Sequence, residues 1–478
     1  MKRISRLGLW FSTVVLLLAA NAAEAQKPSP TPTPAAESTA AAAANVFKKG
    51  RDPIIIIPGL TGSELVNAKT GEEVWFKAFR PKDDDLRLPI SPVLSRNRDN
   101  LVARDIIRSV KLFGFLPETE IYERLIDSLE KRAGYREANW KTATRADATD
   151  TFFVFPYDWR RDNVESARLL LRQIETLKRR LGKPNMKFNV VAHSMGGLIA
   201  RYAAMYGDAD LPARAPKPTW IGARNFNKIF LLGTPNEGSV LSINALLEGF
   251  SYIGGGLNLP FIQDISRFDV FTIPAIYQLL PHDGSLLAYD EDLKPFPIDL
   301  YDPATWERYN WAIWQDDAFT KKFTPLEQRN AKPFFLASLA RAKRFQEALD
   351  ANTSDKIPVS FYLMGADCKE TQNALLLIHN EKKGRWETRF KAAGFTNAKG
   401  EKITSEQIKA VLYTMGDSVV PKRSLIAETL TASGKKTVLP FVSELFQCEG
   451  HSRLVTNPAI QDKLFVLLDG SLDILKAN

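Results

Sequence analysis

The sequence predicts an α/β fold, a mostly parallel sheet flanked by helices and enlarged by cap or lid insertions. Three observations predict it. Short runs rich in Ile, Val and Phe recur along the chain and end in Gly, Pro or a polar turn. Helical patterns lie between them, and two long stretches break the alternation.

In chain order, the first segment stands apart. Lys2, Arg3 and Arg6 precede the apolar run Leu7–Ala20, and Ala23-Glu24-Ala25 follows as a small-x-small site, so residues 1–25 read as a cleaved signal peptide. An uncleaved anchor is the rival reading, but a run of 14 residues falls short of the roughly 18 that span a bilayer. Residues 26–45, QKPSPTPTPAAESTAAAAAN, hold no bulky apolar side chain and read as a disordered tether. The folded domain is then 46–478, and the protein is secreted or periplasmic.

The strand candidates follow: IIIIPG from Ile54, TFFVFPY from Thr151, KFNVVAHS from Lys187, NKIFLLGTP from Asn227, VSFYLMG from Val359 and KTVLPFV from Lys436. Continuous apolar runs of this length suit strands buried on both faces, as in parallel sheets. Between two of them, residues 165–181 place Leu170, Ile174, Leu177 and Leu181 on one stripe. Asp162 with Glu165 forms a capping box there, and Gly182 is the stop. The interruptions are residues 77–118, rich in charge and proline, and residues 236–357, with GFSYIGGGLNLPFI and TWERYNWAIW. Long insertions of this kind serve as lids or binding elements.

Composition bounds the class. With 45% hydrophobic and 25% charged residues, the 478-residue chain is balanced like a soluble globular protein, not a membrane bundle or a disordered tail. Its net charge is +9, or +7 once the three basic and one acidic residues of 1–25 are set aside. That favours anionic surfaces such as phospholipid headgroups; no nucleic-acid motif accompanies it. Four histidines and two cysteines leave little material for a metal cluster, and no cofactor is expected. Cys368 and Cys448 are expected to bridge in an oxidising compartment. The oligomeric state is not readable.

Ser194, in NVVAHSMGGLIA, is the candidate nucleophile. A serine at a sharp strand-to-helix turn needs small residues two positions before and after it, which Ala192 and Gly196 supply. An N-capping serine in an ordinary turn would carry the same pattern. A hydroxyl needs a histidine base held by a carboxylate, in the chain order Ser, acid, His. Only His282, His379 and His451 follow Ser194. Asp417 in GDSVVP leaves His451 as the sole later histidine, giving Ser194, Asp417 and His451. Asp367 directly after VSFYLMG is a rival acid that would admit His379, although His379 sits in the helical-looking ALLLIHN. His193 is expected to pack away from the reaction. Two backbone N–H groups should face the oxyanion, those of Met195 and of Leu60 in PGLTG, a segment that reads equally as a simple glycine turn.

Taken in order, IIIIPGLTGSEL, FPYDWR, VVAHSMGGLIARY, FLLGTPNEGS, GDSVVP and GHSRLV resemble the lecithin:cholesterol acyltransferase family, with its lysosomal phospholipase and phospholipid:diacylglycerol acyltransferase relatives. The resemblance implies an α/β-hydrolase fold, the triad Ser194, Asp417 and His451, and oxyanion donors at Leu60 and Met195. It makes Asp158 and Trp159 structural supports near the site. Eukaryotic members close a lipid-binding element with a disulfide soon after the first strand, whereas residues 64–118 hold no cysteine. Trp75, Phe76, Phe79, Phe113 and Phe115 are left either to meet lipid or to join the core. The expected function is serine-dependent acyl transfer from lipid or phospholipid esters at a membrane or lipoprotein-like surface, ending on an alcohol or on water. A carboxylesterase or polyester depolymerase, and a silent envelope-binding protein, are the alternatives.

Overall fold

A computed structural model describes residues 49–76, 86–110, 119–214, 216–250, 265–282, 286–351, 356–381, 384–431, 434–437 and 439–469. The expected signal peptide and tether lie outside these residues, as do Phe79, Phe113, Phe115 and most of GFSYIGGGLNLPFI.

Seven strands form the central sheet: β1 (Ile54–Ile57), β2 (Arg136–Glu137), β3 (Thr151–Val154), β4 (Phe188–His193), β5 (Phe226–Leu232), β6 (Ser360–Gly365) and β7 (Ser443–Phe446). Their spatial order is β7-β6-β5-β4-β1-β3-β2, and every neighbouring pair is parallel. The isoleucines of β1 are at most 1% exposed, as expected of a strand covered on both faces. Five of the six strand candidates enter this sheet. KTVLPFV does not: Gly434–Thr437 pairs in a hairpin with Glu428–Thr431, and the edge strand is the later Ser443–Phe446. Pro440 lacks the N–H that a ladder needs, so pairing with β6 begins only at Val442, whose N–H donates to Phe361 O at 2.8 Å.

Four helices matter for the site. α1 (Glu123–Lys131) follows Tyr122, α2 (Asn163–Leu181) joins β3 to β4, α3 (Met195–Tyr206) follows the elbow, and α4 (Pro325–Leu349) closes the long insertion. The predicted stripe of α2 is buried, each large apolar side chain contributing about 1.5–3 kcal/mol. Its cap differs in detail from the capping box: Asp162 accepts from the N–H of Val164, while the Glu165 carboxylate is held by Arg161 and Arg98. Gly182 ends the helix at φ 64°.

Within 236–357, described residues join the main core. Trp306 and Trp314 of TWERYNWAIW pack on Phe335 of α4 with ring centroids 5.0 and 4.7 Å away. α4 in turn docks on α3, where Tyr206 Oη donates to Ala348 O at 2.8 Å. Part of the insertion also builds a second sheet, in the order Pro295–Pro297, Leu287–Tyr289, Ala374–Asn380, Arg385–Arg389. ALLLIHN is therefore a strand and not a helix; its run from Ala374 to Leu377 is buried throughout. Of the aromatic candidates after the first strand, Trp75 is core at 1% exposure, and Phe76 leans on it with ring centroids 5.0 Å apart.

Candidate active site

Ser194 sits at the turn between β4 and α3 with φ 54°, a backbone costing about 1–3 kcal/mol that the surroundings must hold in place. The sheet does so: Ala192 lies level with Ile57 on one side and Leu231 on the other, and Ser194 N–H donates to Leu232 O at 2.8 Å. A Cβ on Gly196 would meet Pro58 O at 2.6 Å, which explains the small residue two positions on. Gly197 is as constrained, since its Cβ would fall 1.9 Å from Thr234 Oγ1. Sequence reasoning did not single it out.

His451 begins a short helical turn, His451–Thr456, beyond β7. Its Nε2 lies 2.9 Å from Ser194 Oγ and its Nδ1 2.7 Å from Asp417 Oδ2. Asp417 is fully buried, and its Oδ1 accepts from the N–H groups of Val419 and Val420 at 3.0 and 2.7 Å. The carboxylate thus fixes the proton on Nδ1 and leaves Nε2 to accept from the serine. The His451 N–H donates to Asp417 O at 2.8 Å, so backbone as well as side chain joins the two residues. Space here is tight: a Cβ on Gly233, at φ 62°, would lie 3.1 Å from both Asp417 Oδ2 and His451 Cε1.

Asp417 reaches this place by a detour. The chain leaves β6 at Gly365, and Lys369–Gln372 later pairs antiparallel with Tyr413–Gly416, returning Asp417 beside Lys369. Cys368 at the start of the detour is bridged to Cys448, three residues before His451. The expected disulfide is present. Asp367, the rival acid, instead pairs with Lys422 Nζ at 2.7 Å. His379, its companion, is exposed on the second sheet against Trp386. These two are not brought together with Ser194.

Loop 58–62 approaches from β1. A Cβ on Gly59 would stand 2.8 Å from Ser194 Cβ, so the backbone passes directly over the serine. Three aromatic side chains hold it: Trp75 Nε1 donates to Thr61 O at 2.8 Å, Tyr157 Oη donates to Pro58 O at 2.9 Å, and Tyr122 Oη accepts from Gly59 N–H at 2.9 Å. The next amide along is that of Leu60. Met195 opens α3, where the first turn bond is Gly197 N–H to Ser194 O, so the Met195 N–H precedes the helical ladder. Among the described residues neither the Leu60 nor the Met195 amide has an acceptor.

The FPYDWR segment supports this loop. Arg160 is fully buried, paired with Asp158 at 2.8 Å and Asp99 at 2.6 Å, and Trp159 packs 5.6 Å from Trp75. His193 does more than pack: Nδ1 meets Tyr122 Oη at 2.8 Å, and Nε2 meets His451 O at 3.1 Å. Burial foremost, then His451 beside it, pushes His193 down to about 3, so its ring is neutral.

One further charged cluster escaped the sequence. Glu237, His282 and Asp350 converge in the core, with His282 Nε2 2.7 Å from Asp350 Oδ2 and 3.3 Å from Glu237 Oε2. These are metal-ligand types, but the positive charge of Arg201 acts on both carboxylates and that of Arg423 on Glu237. A resident cation would meet that positive charge, so the set fits an ion-pair cluster better than a metal centre. Burial, then Asp350, pushes Glu237 up to about 8. Glu237, His282 and Asp350 lie 45 and 68 residues apart in sequence, so no spacing motif marks the cluster. A cleft lined by Leu171, Glu175, Gly207 and Ile221 opens at the far end of α3, away from Ser194.

A parallel sheet of this order, with a serine elbow after its central strand and a histidine and carboxylate supplied from beyond its later strands, is an α/β-hydrolase fold. Residues 99–324 match the family model described as lecithin:cholesterol acyltransferase. Two curated relatives from Arabidopsis thaliana are similar: lecithin-cholesterol acyltransferase-like 4, 23% identical over 256 residues, and phospholipase A(1) LCAT3, 23% identical over 260 residues. Each match covers 48% of this chain, and 43% and 52% of the respective relatives, so the chain spans about half the length of the curated relatives it matches. Among solved structures, that of the Tle4–Tli4 complex is 15% identical with a TM-score of 0.49, covering 89% of this chain and 98% of that one. The mature form of Bacillus licheniformis lipase BlEst2 is 12% identical with a TM-score of 0.36, covering 93% and 96%.

Proposed function

We propose that the protein transfers acyl groups from lipid esters through an acyl-enzyme on Ser194. The observation that carries this reading is the unbroken chain Ser194 Oγ, His451 Nε2, His451 Nδ1, Asp417 Oδ2, at 2.9 and 2.7 Å. His451 takes the serine proton as Oγ attacks the ester carbonyl carbon, and Asp417 stabilises the imidazolium. The Leu60 and Met195 amides stabilise the oxyanion; one such donor is worth about 3–4 kcal/mol. When the intermediate collapses, the bond to the alcohol breaks and His451 returns the proton to that oxygen. A second alcohol or a water then gives its proton to His451, attacks the acyl carbon and frees Ser194.

The family-model match and the two plant relatives, one of them named a phospholipase A(1), support lipid esters as the substrate class. The Cys368–Cys448 bridge supports an oxidising compartment, in keeping with residues 1–25 as an export signal ahead of the tether at 26–45 and the domain from 46 onward. The test is fluorophosphonate labelling of wild type, Ser194→Ala and His451→Ala, followed by mass spectrometry of products from phospholipids with and without an added alcohol. Labelling and turnover should vanish in both variants. New esters with alcohol present indicate transfer, and free fatty acid alone indicates hydrolysis. Turnover confined to short soluble esters would refute the lipid reading, and labelling that survives Ser194→Ala would refute the nucleophile.

A further inference from the structure

We propose that Tyr122 and His193 are positioning residues for this reaction, forming a buried hydrogen-bond chain that sets the Gly59–Leu60 peptide at a fixed distance from the backbone of His451. The inference rests on Ser194 being the nucleophile with Leu60 as an oxyanion donor.

The direction of each bond follows from what each atom can do. Gly59 N–H can only donate, so Tyr122 Oη accepts from it at 2.9 Å and turns its own hydrogen toward His193 Nδ1 at 2.8 Å. Nδ1 is then an acceptor and the ring proton sits on Nε2, which donates to the carbonyl of His451 at 3.1 Å. Both side chains are buried, Tyr122 at 2% and His193 at 7% exposure. With burial and His451 holding its ring neutral, and with Nδ1 occupied, His193 offers no competing base for the proton that His451 takes from Ser194.

The chain joins parts that the sheet alone does not align. His193 is the last residue of β4, level with Leu232 of β5, and is placed by the sheet. The loop over the serine and the turn beginning at His451 come from opposite ends of the sequence and belong to no strand. An imidazole fixed to the sheet and bonded to both sets the gap between them. Rates fall by up to about a hundredfold when reacting groups are displaced by about 1 Å, so a chain of this kind acts on kcat more than on binding.

The test measures kcat and KM on p-nitrophenyl octanoate, normalised to serine sites titrated with a fluorophosphonate, in Tyr122→Phe, His193→Ala and His193→Gln. Misfolding lowers the titratable fraction and leaves kcat per titrated site unchanged. The proposal expects kcat per site to fall about tenfold in Tyr122→Phe, the size of one lost hydrogen bond, with KM within about twofold. His193→Ala should lose about a hundredfold, and His193→Gln, whose amide can still donate to His451 O, should recover part of that loss. Values of kcat per site within about twofold of wild type in Tyr122→Phe and His193→Ala would overturn it, as would losses confined to the titratable fraction. Unchanged labelling and turnover in Ser194→Ala would instead defeat the nucleophile reading, and this inference with it.

Discussion

Ser194 is held in a strained backbone by neighbours that have no side chain to spare. Gly59, Gly196 and Gly197 each leave room for an atom that a Cβ would strike, at 2.8, 2.6 and 1.9 Å. Gly59→Ala should therefore push the loop off the serine, lowering kcat about a hundredfold, while the thermal midpoint moves by no more than a few degrees. Steady-state kinetics beside a thermal melt checks it; wild-type kcat would contradict the proposed role of the Leu60 amide. At this scale the sequence was partly readable. Ala192 and Gly196 announce the elbow because the turn's own geometry demands them. Gly197 and Gly233 stay silent because what they avoid, Thr234 in one case and Asp417 with His451 in the other, arrives from later in the chain.

The elements that carry Asp417 and His451 are loops pinned to the end of the sheet. Cys368 and Cys448 are 80 residues apart in sequence, and their bridge ties the exit of β6 to the approach of His451. Removing it with Cys368→Ala and Cys448→Ala together should cost about 2–4 kcal/mol of stability. Activity should fall in the same variant, because His451 lies three residues beyond Cys448. Denaturant melts and kinetics with and without reductant measure both effects; full activity in the reduced wild type would show that β7 alone positions His451. Five central strands were legible as continuous apolar runs. The edge strand Ser443–Phe446 was not, because an edge needs no continuous apolar run, and ALLLIHN was misread because a buried run of this length has no period to separate strand from helix.

Across the whole molecule, the buried cluster of Glu237, His282 and Asp350, faced by Arg201 and Arg423, couples global stability to pH. Glu237 is raised from its ordinary 4.5 to about 8, so the folded state binds this proton more tightly than the unfolded chain does. Its contribution is fully present below pH 4.5 and is lost as pH rises toward about 8. His193 runs the other way: lowered from 6.5 to about 3, it removes stability as pH falls below 6.5. Melts of Glu237→Gln between pH 4.5 and 8 should decline less steeply than those of wild type; an identical slope would count against the cluster. The parallel sheet could be foreseen from local runs. The cluster and the second sheet could not, since both are assembled from stretches that only the finished fold brings together.

The central claim is an acyl-enzyme on Ser194, and the most direct measurement is the intact mass of protein quenched in acid during turnover of a phospholipid, followed by peptide mapping. A fraction of the protein should be heavier by one acyl group, with the added mass on the peptide containing Ser194 and absent from Ser194→Ala. Turnover at the wild-type rate by Ser194→Ala, or an acyl group mapped to another residue, would contradict it.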